Sequence, residues 1–237
     1  MTTMSKFSMA IAGAAFVSLG VACVNAPAVN AAIVAVGDSG SWVAGSNTLA
    51  NQGFNMVNVS DSNAPELGLI SNLSSPFGNV ALGSEVEKRT IGSSWNTWSN
   101  GYSGDVYYNR GATKLEITMP FDVAAFDLYL QPEQYKMFEI AVTVMTSTGL
   151  TTTTLAQNID GKGGAKYFGF YGTDGDVLKS ITIVDKSGGA AKGFAFAQMR
   201  VAPVPEPLMI GGSLLALGFG WRMKKKLASS KSSSVKS

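Results

Sequence analysis

Whatever chemistry this chain performs, it performs without imidazole. None of its 237 residues is histidine, which removes Ser-His-Asp and Cys-His nucleophile arrangements and every histidine-ligated metal site at once. The single cysteine, Cys23, leaves no set of thiolates for zinc. Carboxylates remain, and with them glycoside hydrolysis by an acid pair or oxygen-ligated calcium. Glu85, Glu87, Glu116, Glu133 and Glu139 are spread along the chain, and nothing in their spacing brings two of them together. Asp174-Gly175-Asp176 and Asp160 sit beside glycines, a composition that suits tight turns. An EF-hand loop would need more acidic positions at set spacing and a closing Glu. The run Gly161-Lys162-Gly163-Gly164 lacks the Gly-Lys-Ser/Thr ending of a phosphate loop and reads as a hairpin turn. The sequence therefore offers no catalytic residue, no metal site and no cofactor, and the expectation is a protein that is not an enzyme.

Aromatic residues are the other candidates. Trp95, Trp98, Tyr102, Tyr107 and Tyr108 fall within fourteen residues, interleaved with Asn96, Asn100 and Asp105. Flat aromatic faces beside amides and carboxylates are what sugar rings need for stacking and hydroxyl hydrogen bonds. Trp95, Trp98 and Tyr102 are the candidate glycan contacts. The competing use of the same side chains is to fill the core and anchor one long loop.

These residues need elements to hold them, and the periodicity indicates strands. Leu115, Ile117 and Met119 alternate with Glu116 and Thr118, and Phe126, Leu128 and Leu130 alternate with Asp127 and Tyr129, the two-residue period of strands with one buried face. Phe138, Ile140, Val142 and Val144 continue the pattern, and Gly149 turns the chain into residues 151–158 as a hairpin. Further strands are expected around 167–171, 178–185 and 193–201, separated by Gly161 to Gly164 and Gly172 to Gly175. Residues 32–104 are rich in Gly, Ser and Asn, with short apolar patches at 33–36, 54–59 and 80–82. Residues 61–75 show no clear period and read as a mobile stretch. Val123-Ala124-Ala125 or residues 132–135 could form a helical turn, but no sustained helical stripe occurs between 32 and 202. The expected fold is all-β, an antiparallel β-sandwich of about eight strands and jelly-roll-like connectivity.

The two ends differ from this middle. Lys6 precedes a nearly uncharged run from Phe7 to Val24, followed by the small-residue stretch Val29-Asn30-Ala31-Ala32, the layout of a secretory signal with cleavage expected after Ala31. Gly20 stands where a lipoprotein signal has Leu, which argues against lipidation at Cys23. If residues 1–31 are removed, the mature chain has no thiol and must be stabilised by packing. At the other end, Val204-Pro205-Glu206-Pro207 leads into uncharged residues 208–221 and then Arg222-Met223-Lys224-Lys225-Lys226. The prolines fix φ and withhold backbone donors, so the box should be extended and the helix can begin only after it. Fourteen residues at about 1.5 Å each make a helix of roughly 21 Å, against a hydrocarbon core of about 30 Å. The stems of Arg222 and Lys224 to Lys226 can snorkel to close much of that gap. The cations also halt translocation and, by the positive-inside rule, leave the domain outside.

This order of box, apolar segment and basic cluster resembles the PEP-CTERM sorting signal of Gram-negative bacteria, over residues 204–226. The resemblance implies that Val204, Pro205, Glu206 and Pro207 are the recognition box read by an exosortase. It implies that residues 208–221 form a single membrane helix, and that Arg222, Lys224, Lys225 and Lys226 are the basic stop. The family usually ends soon after its basic cluster, whereas here a Ser/Lys-rich extension runs to Ser237. The stretch Trp95 to Tyr108 also looks like domains that precede such tails.

Charge follows the same division. Residues 32–202 hold 11 Lys/Arg against 15 Asp/Glu, a net of −4, so the overall +2 comes from the termini. A mildly acidic domain argues against nucleic acid as a partner. The expected organisation is a signal peptide and its helix over 1–31, one extracellular domain over 32–202, and a sorting and anchoring tail over 203–237. The expected function is an exported cell-surface or extracellular-matrix protein with a structural or interaction role. Signal peptidase and an exosortase process it, and the C-terminal helix anchors it in the membrane at least transiently. A carbohydrate-binding module on extracellular polysaccharide is the alternative, and a secreted glycosidase the third.

Overall fold

The computed structural model describes residues 32–38, 48–59, 61–99, 101–173 and 175–204. The expected signal peptide, Asp174, Pro205, Glu206, Pro207, the membrane segment, Arg222 and Lys224 to Lys226 lie outside the described residues.

Among the described residues the protein is all-β and has no helix. Its eleven strands are β1 (Ile33–Gly37), β2 (Val57–Asn58), β3 (Leu69–Ser75), β4 (Gly78–Thr90), β5 (Asp105–Tyr108), β6 (Lys114–Pro132), β7 (Met137–Thr146), β8 (Thr152–Asp160), β9 (Lys166–Gly172), β10 (Leu178–Asp185) and β11 (Phe194–Pro203). All pair antiparallel in one sheet, whose main path runs β2-β11-β5-β4-β6-β10-β7-β8.

The 19-residue strand β6 organises this sheet. Its first half pairs with β10 from Lys114 to Thr118 and touches β4 at Ile117 and Thr118. Its second half pairs with β9 on one side and β11 on the other, from Ala125 to Leu130. Between the halves lies Pro120, which has no N–H to give a ladder, and there the register against β10 slips. The two apolar runs of the sequence are thus one strand that changes neighbours halfway.

A single large core collects both halves. Leu115, Ile117 and Met119 from the first half and Phe126, Leu128 and Leu130 from the second pack with the inward residues of β7, β9, β10 and β11. Burying each such side chain contributes about 1.5–3 kcal/mol, so this cluster is the main source of stability in a chain whose described part has no cysteine.

Several expectations need correction. Residues 69–75, part of the stretch without a period and expected to be mobile, form the edge strand β3 against β4. Residues 123–125 are extended within β6 and residue 132 ends it, with no helical turn at either place. Strand β11 runs through Pro203, one residue past the expected domain limit. The largest difference concerns Asp127 and Tyr129. Their alternation with Phe126, Leu128 and Leu130 suggested a solvent face, yet both are buried, Asp127 completely.

Candidate functional site

The second half of β6 is buried on both faces because two irregular segments cover its outer side. One is residues 48–56, where Leu49 is fully buried, its N–H donates to the Tyr167 hydroxyl at 2.9 Å, and Phe54 packs on Tyr171 with ring centroids 5.1 Å apart. The other is residues 91–99 and 101–104, which carry Trp95, Trp98 and Tyr102 of the aromatic cluster. A second apolar group, including Leu49, Ala125, Tyr129, Tyr167 and Ala202, fills the space beneath them.

Polar groups on this covered face must find partners. Asp127 accepts from Arg200 Nε at 2.9 Å and Nη2 at 2.6 Å, a two-pronged pair, and its Oδ2 also accepts from the Tyr167 hydroxyl at 2.8 Å. Burial pushes the Asp127 carboxyl up, opposed by the Arg200 guanidinium and the Tyr167 hydroxyl. Burial pulls Arg200 down, but the bond and charge of Asp127 outweigh it and leave the guanidinium above its ordinary value. Tyr167 is raised by burial and by the Asp127 charge. The result is an internally neutral ion pair that fixes Arg200 on β11. Gln131 does similar work further along. Its Oε1 accepts from Trp95 Nε1 at 3.1 Å, and its Nε2 donates to Thr97 Oγ1 at 2.6 Å and Gly161 O at 2.5 Å.

Strand β11 is irregular where it passes these groups. Its register with β6 slips between Ala197 and Arg200, and Gln198 takes a left-handed backbone, φ 53°. For a residue with a β-carbon this costs on the order of 1–3 kcal/mol, and such strain persists where the surroundings hold it. The holding contact is Trp98 Nε1, which donates to Gln198 Oε1 at 3.1 Å. The bulge re-aims the strand, bringing Gln198 and Arg200 to one side.

Beside this bulge opens a cleft of about 840 Å³. Its walls include Asn51, Asn58, Asp61, Tyr102, Tyr107, Tyr129, Gln198 and Arg200. Strand β2 places Asn58 directly opposite Arg200. The Tyr102 hydroxyl donates to Asp105 O at 2.8 Å, and burial, then the charges of Asp61 and Asp105, pushes its pKa up to about 12. Tyr107 stacks on Phe196 at 5.5 Å, and its hydroxyl accepts from Ser62 N at 2.8 Å and reaches Asp61 Oδ1 at 3.4 Å. Burial and the neighbouring Asp105 charge raise Asp61 above the usual carboxylate range. Asp105 itself is held by Lys88 Nζ at 2.8 Å and Thr90 Oγ1 at 2.9 Å and does not line the cleft. Asp61 is the one carboxylate among the described lining residues.

The three sequence candidates meet in one apolar cluster, where Trp98 and Tyr102 pack against the buried group of Trp95, Val106, Ala195 and Ala197, but of the three only Tyr102 lines the larger cleft. Trp95 is buried at 5 % exposure under a cation–π contact with Arg89, whose guanidinium carbon lies 5.7 Å from its ring and 4.1 Å from that of Tyr108. It borders a second, smaller hollow of about 310 Å³ with Arg89, Tyr135 and Lys136. Trp98 is half-buried and spends its one donor on Gln198. Tyr102 lines the larger cleft, with its ring 6.4 Å from Trp98. Close packing of this loop needs Gly164 (φ 105°), where a β-carbon would stand 2.7 Å from Ser99 Oγ and 2.9 Å from Trp98 O.

Of the remaining sequence candidates, Asp160 closes a turn, Glu85, Glu116 and Glu139 are exposed, and Glu87 and Glu133 are half-buried, Glu133 in the wall of the smaller hollow. Asp160 Oδ1 accepts from Lys162 N at 3.0 Å, closing an Asx-type turn. Glu116 pairs with Lys114 at 2.5 Å on the exposed face of β6, and Glu87 with Arg89 at 2.6 Å. Asn51, Asn58, Gln198 and Arg200 were not singled out in the sequence, and only the aromatic cluster pointed toward this side of the molecule. Compared with known proteins, the chain matches no family model and no curated protein.

Proposed function

We propose that this protein is exported, sorted at its C-terminal box by an exosortase, and displayed at the cell surface or in the extracellular matrix, where its domain serves a structural or interaction role. The observation that carries this reading is the order Val204-Pro205-Glu206-Pro207, uncharged 208–221, Arg222 and Lys224 to Lys226. The limits of the sheet agree with it. Strand β1 begins at Ile33, two residues after the proposed cleavage point, and β11 ends at Pro203, with Val204 exposed. The β domain thus fills the interval between the two addressing segments without sharing residues with the box.

In this proposal the eleven-stranded sheet closes on itself as a jelly-roll-like sandwich. That is supported by the change of partners along β6 and by one core fed from both its halves. The flanking signal helix and membrane helix belong to the same proposal. A glycosidase would need two carboxylates facing one site, and among the described lining residues of the cleft Asp61 alone is a carboxylate, which favours binding without turnover.

The sorting claim is tested in cells by replacing Glu206 and Pro207 with Ala. The expected result is a chain that is still exported but accumulates unprocessed in the membrane fraction. Normal release and surface display of E206A/P207A would count against exosortase recognition.

A further inference from the structure

We infer that the cleft beside the β11 bulge is a binding site for a short neutral oligosaccharide. The inference rests on the domain being an interaction module and is independent of how the chain is sorted. At about 840 Å³ the cleft is well within the roughly 300–1,000 Å³ of small-ligand sites. Its chemistry is that of hydroxyl recognition. Asn51 and Asn58 present exposed amides, which can donate and accept at once. Gln198 adds a third amide at the bulge, and the half-buried ring of Tyr102 supplies a flat apolar face.

Charge decides between sugar classes. The cation in the wall, Arg200, is already matched by Asp127 through both of its prongs, and Lys88 nearby is matched by Asp105. Besides its tyrosines, the other ionisable group among the described lining residues is the Asp61 carboxyl. An anionic ligand would meet no uncompensated cation among the described lining residues and one carboxylate, whereas a neutral sugar pays no such penalty.

The walls are also held in place before any ligand arrives. Arg200 is fixed by a fully buried carboxylate, Tyr102 by the Asp105 carbonyl, and Gln198 by the Trp98 indole despite its unfavourable backbone. Such preorganisation reduces the ordering cost of binding. It also gives Trp98 a role distinct from the one its type suggested: it positions Gln198 and does not stack on the sugar.

The test uses the purified full chain in detergent, titrated calorimetrically at millimolar concentrations of cellotriose, maltotriose, laminaritriose, xylotriose and chitotriose, with trigalacturonate as the anionic counterpart. At least one neutral trisaccharide should bind and trigalacturonate should not. Tyr102→Ala should weaken binding about tenfold, and Asn51→Ala about threefold or more. Tyr135→Ala, in the smaller hollow, should leave it unchanged. Should Tyr102→Ala fail to fold, Asn51→Ala decides alone, because its side chain is exposed. No binding of any neutral probe, tighter binding of trigalacturonate, or affinity unchanged by Asn51→Ala would overturn the inference. Each readout is made on the isolated protein, so failure of sorting and failure of sugar binding are told apart.

Discussion

The two halves of β6 are one strand in two environments. From Lys114 to Met119 exposed and buried residues alternate without exception, with Glu116 and Thr118 in water and Leu115, Ile117 and Met119 in the core. From Ala125 to Pro132 every residue is buried. Both halves carry polar residues at alternate positions, but those of the second half, Asp127 and Gln131, lie under the 48–56 and 91–104 segments. Covering a polar face requires a dedicated partner for each group. Of those partners, Arg200 lines the cleft and Trp95 its smaller neighbour, while Tyr167 stays in the apolar group beneath.

The largest effect is expected from Arg200→Met. It leaves a fully buried carboxylate without its cation and should cost about 3–5 kcal/mol in chemical denaturation. The loss should shrink as the pH is lowered and Asp127 takes up a proton. Next is Trp95→Phe, which keeps the ring but removes the donor to Gln131 Oε1. It should cost about 1–3 kcal/mol in the same assay.

A smaller effect is expected in base. Tyr102 is pushed up to about 12, and Tyr107, Tyr108, Tyr129 and Tyr167 are also raised, in each case chiefly by burial. A raised folded-state pKa favours the protonated form, so its stabilising contribution is complete below the unfolded value near 10. It is lost as pH rises through the folded value. The melting temperature should therefore fall between about pH 10 and 12, and Tyr102→Phe should reduce the slope. The smallest effect belongs to the first half. Glu116→Ala removes an ion pair whose side chains are 56 % and 59 % exposed and should change stability by no more than about 0.5 kcal/mol. A large loss there would erase the distinction between the halves.

Legibility in the sequence followed the same boundary. Where one strand face meets water, hydrophobic alternation located the strand, as for Leu115 to Met119, β7 and the turn at Gly149 with φ 71°. Strand β3 was hidden because it is an edge with few buried residues: only Leu73 is fully inside and the register slips between Ile70 and Asn72. Asp127 gave a solvent signal because its partner is 73 residues away. The cleft was hidden for a related reason. It is assembled from residues 51, 58, 61, 102, 107, 198 and 200, which share no spacing, and its pivotal backbone feature falls on Gln198, a residue type that does not announce a left-handed conformation. Tyr102 could be found in advance because aromatic clustering is local. The roles of Trp95 and Trp98 depended on which donors the covered face required, and that is set by the tertiary fold.

The claim that the domain is exported and then processed at its C-terminal box is tested most directly by intact-mass measurement of the protein recovered from the cell surface. The prediction is a chain that starts at or near Ala32 and whose peptide ends within Pro205 to Pro207. A recovered surface chain that still ends at Ser237 would contradict it.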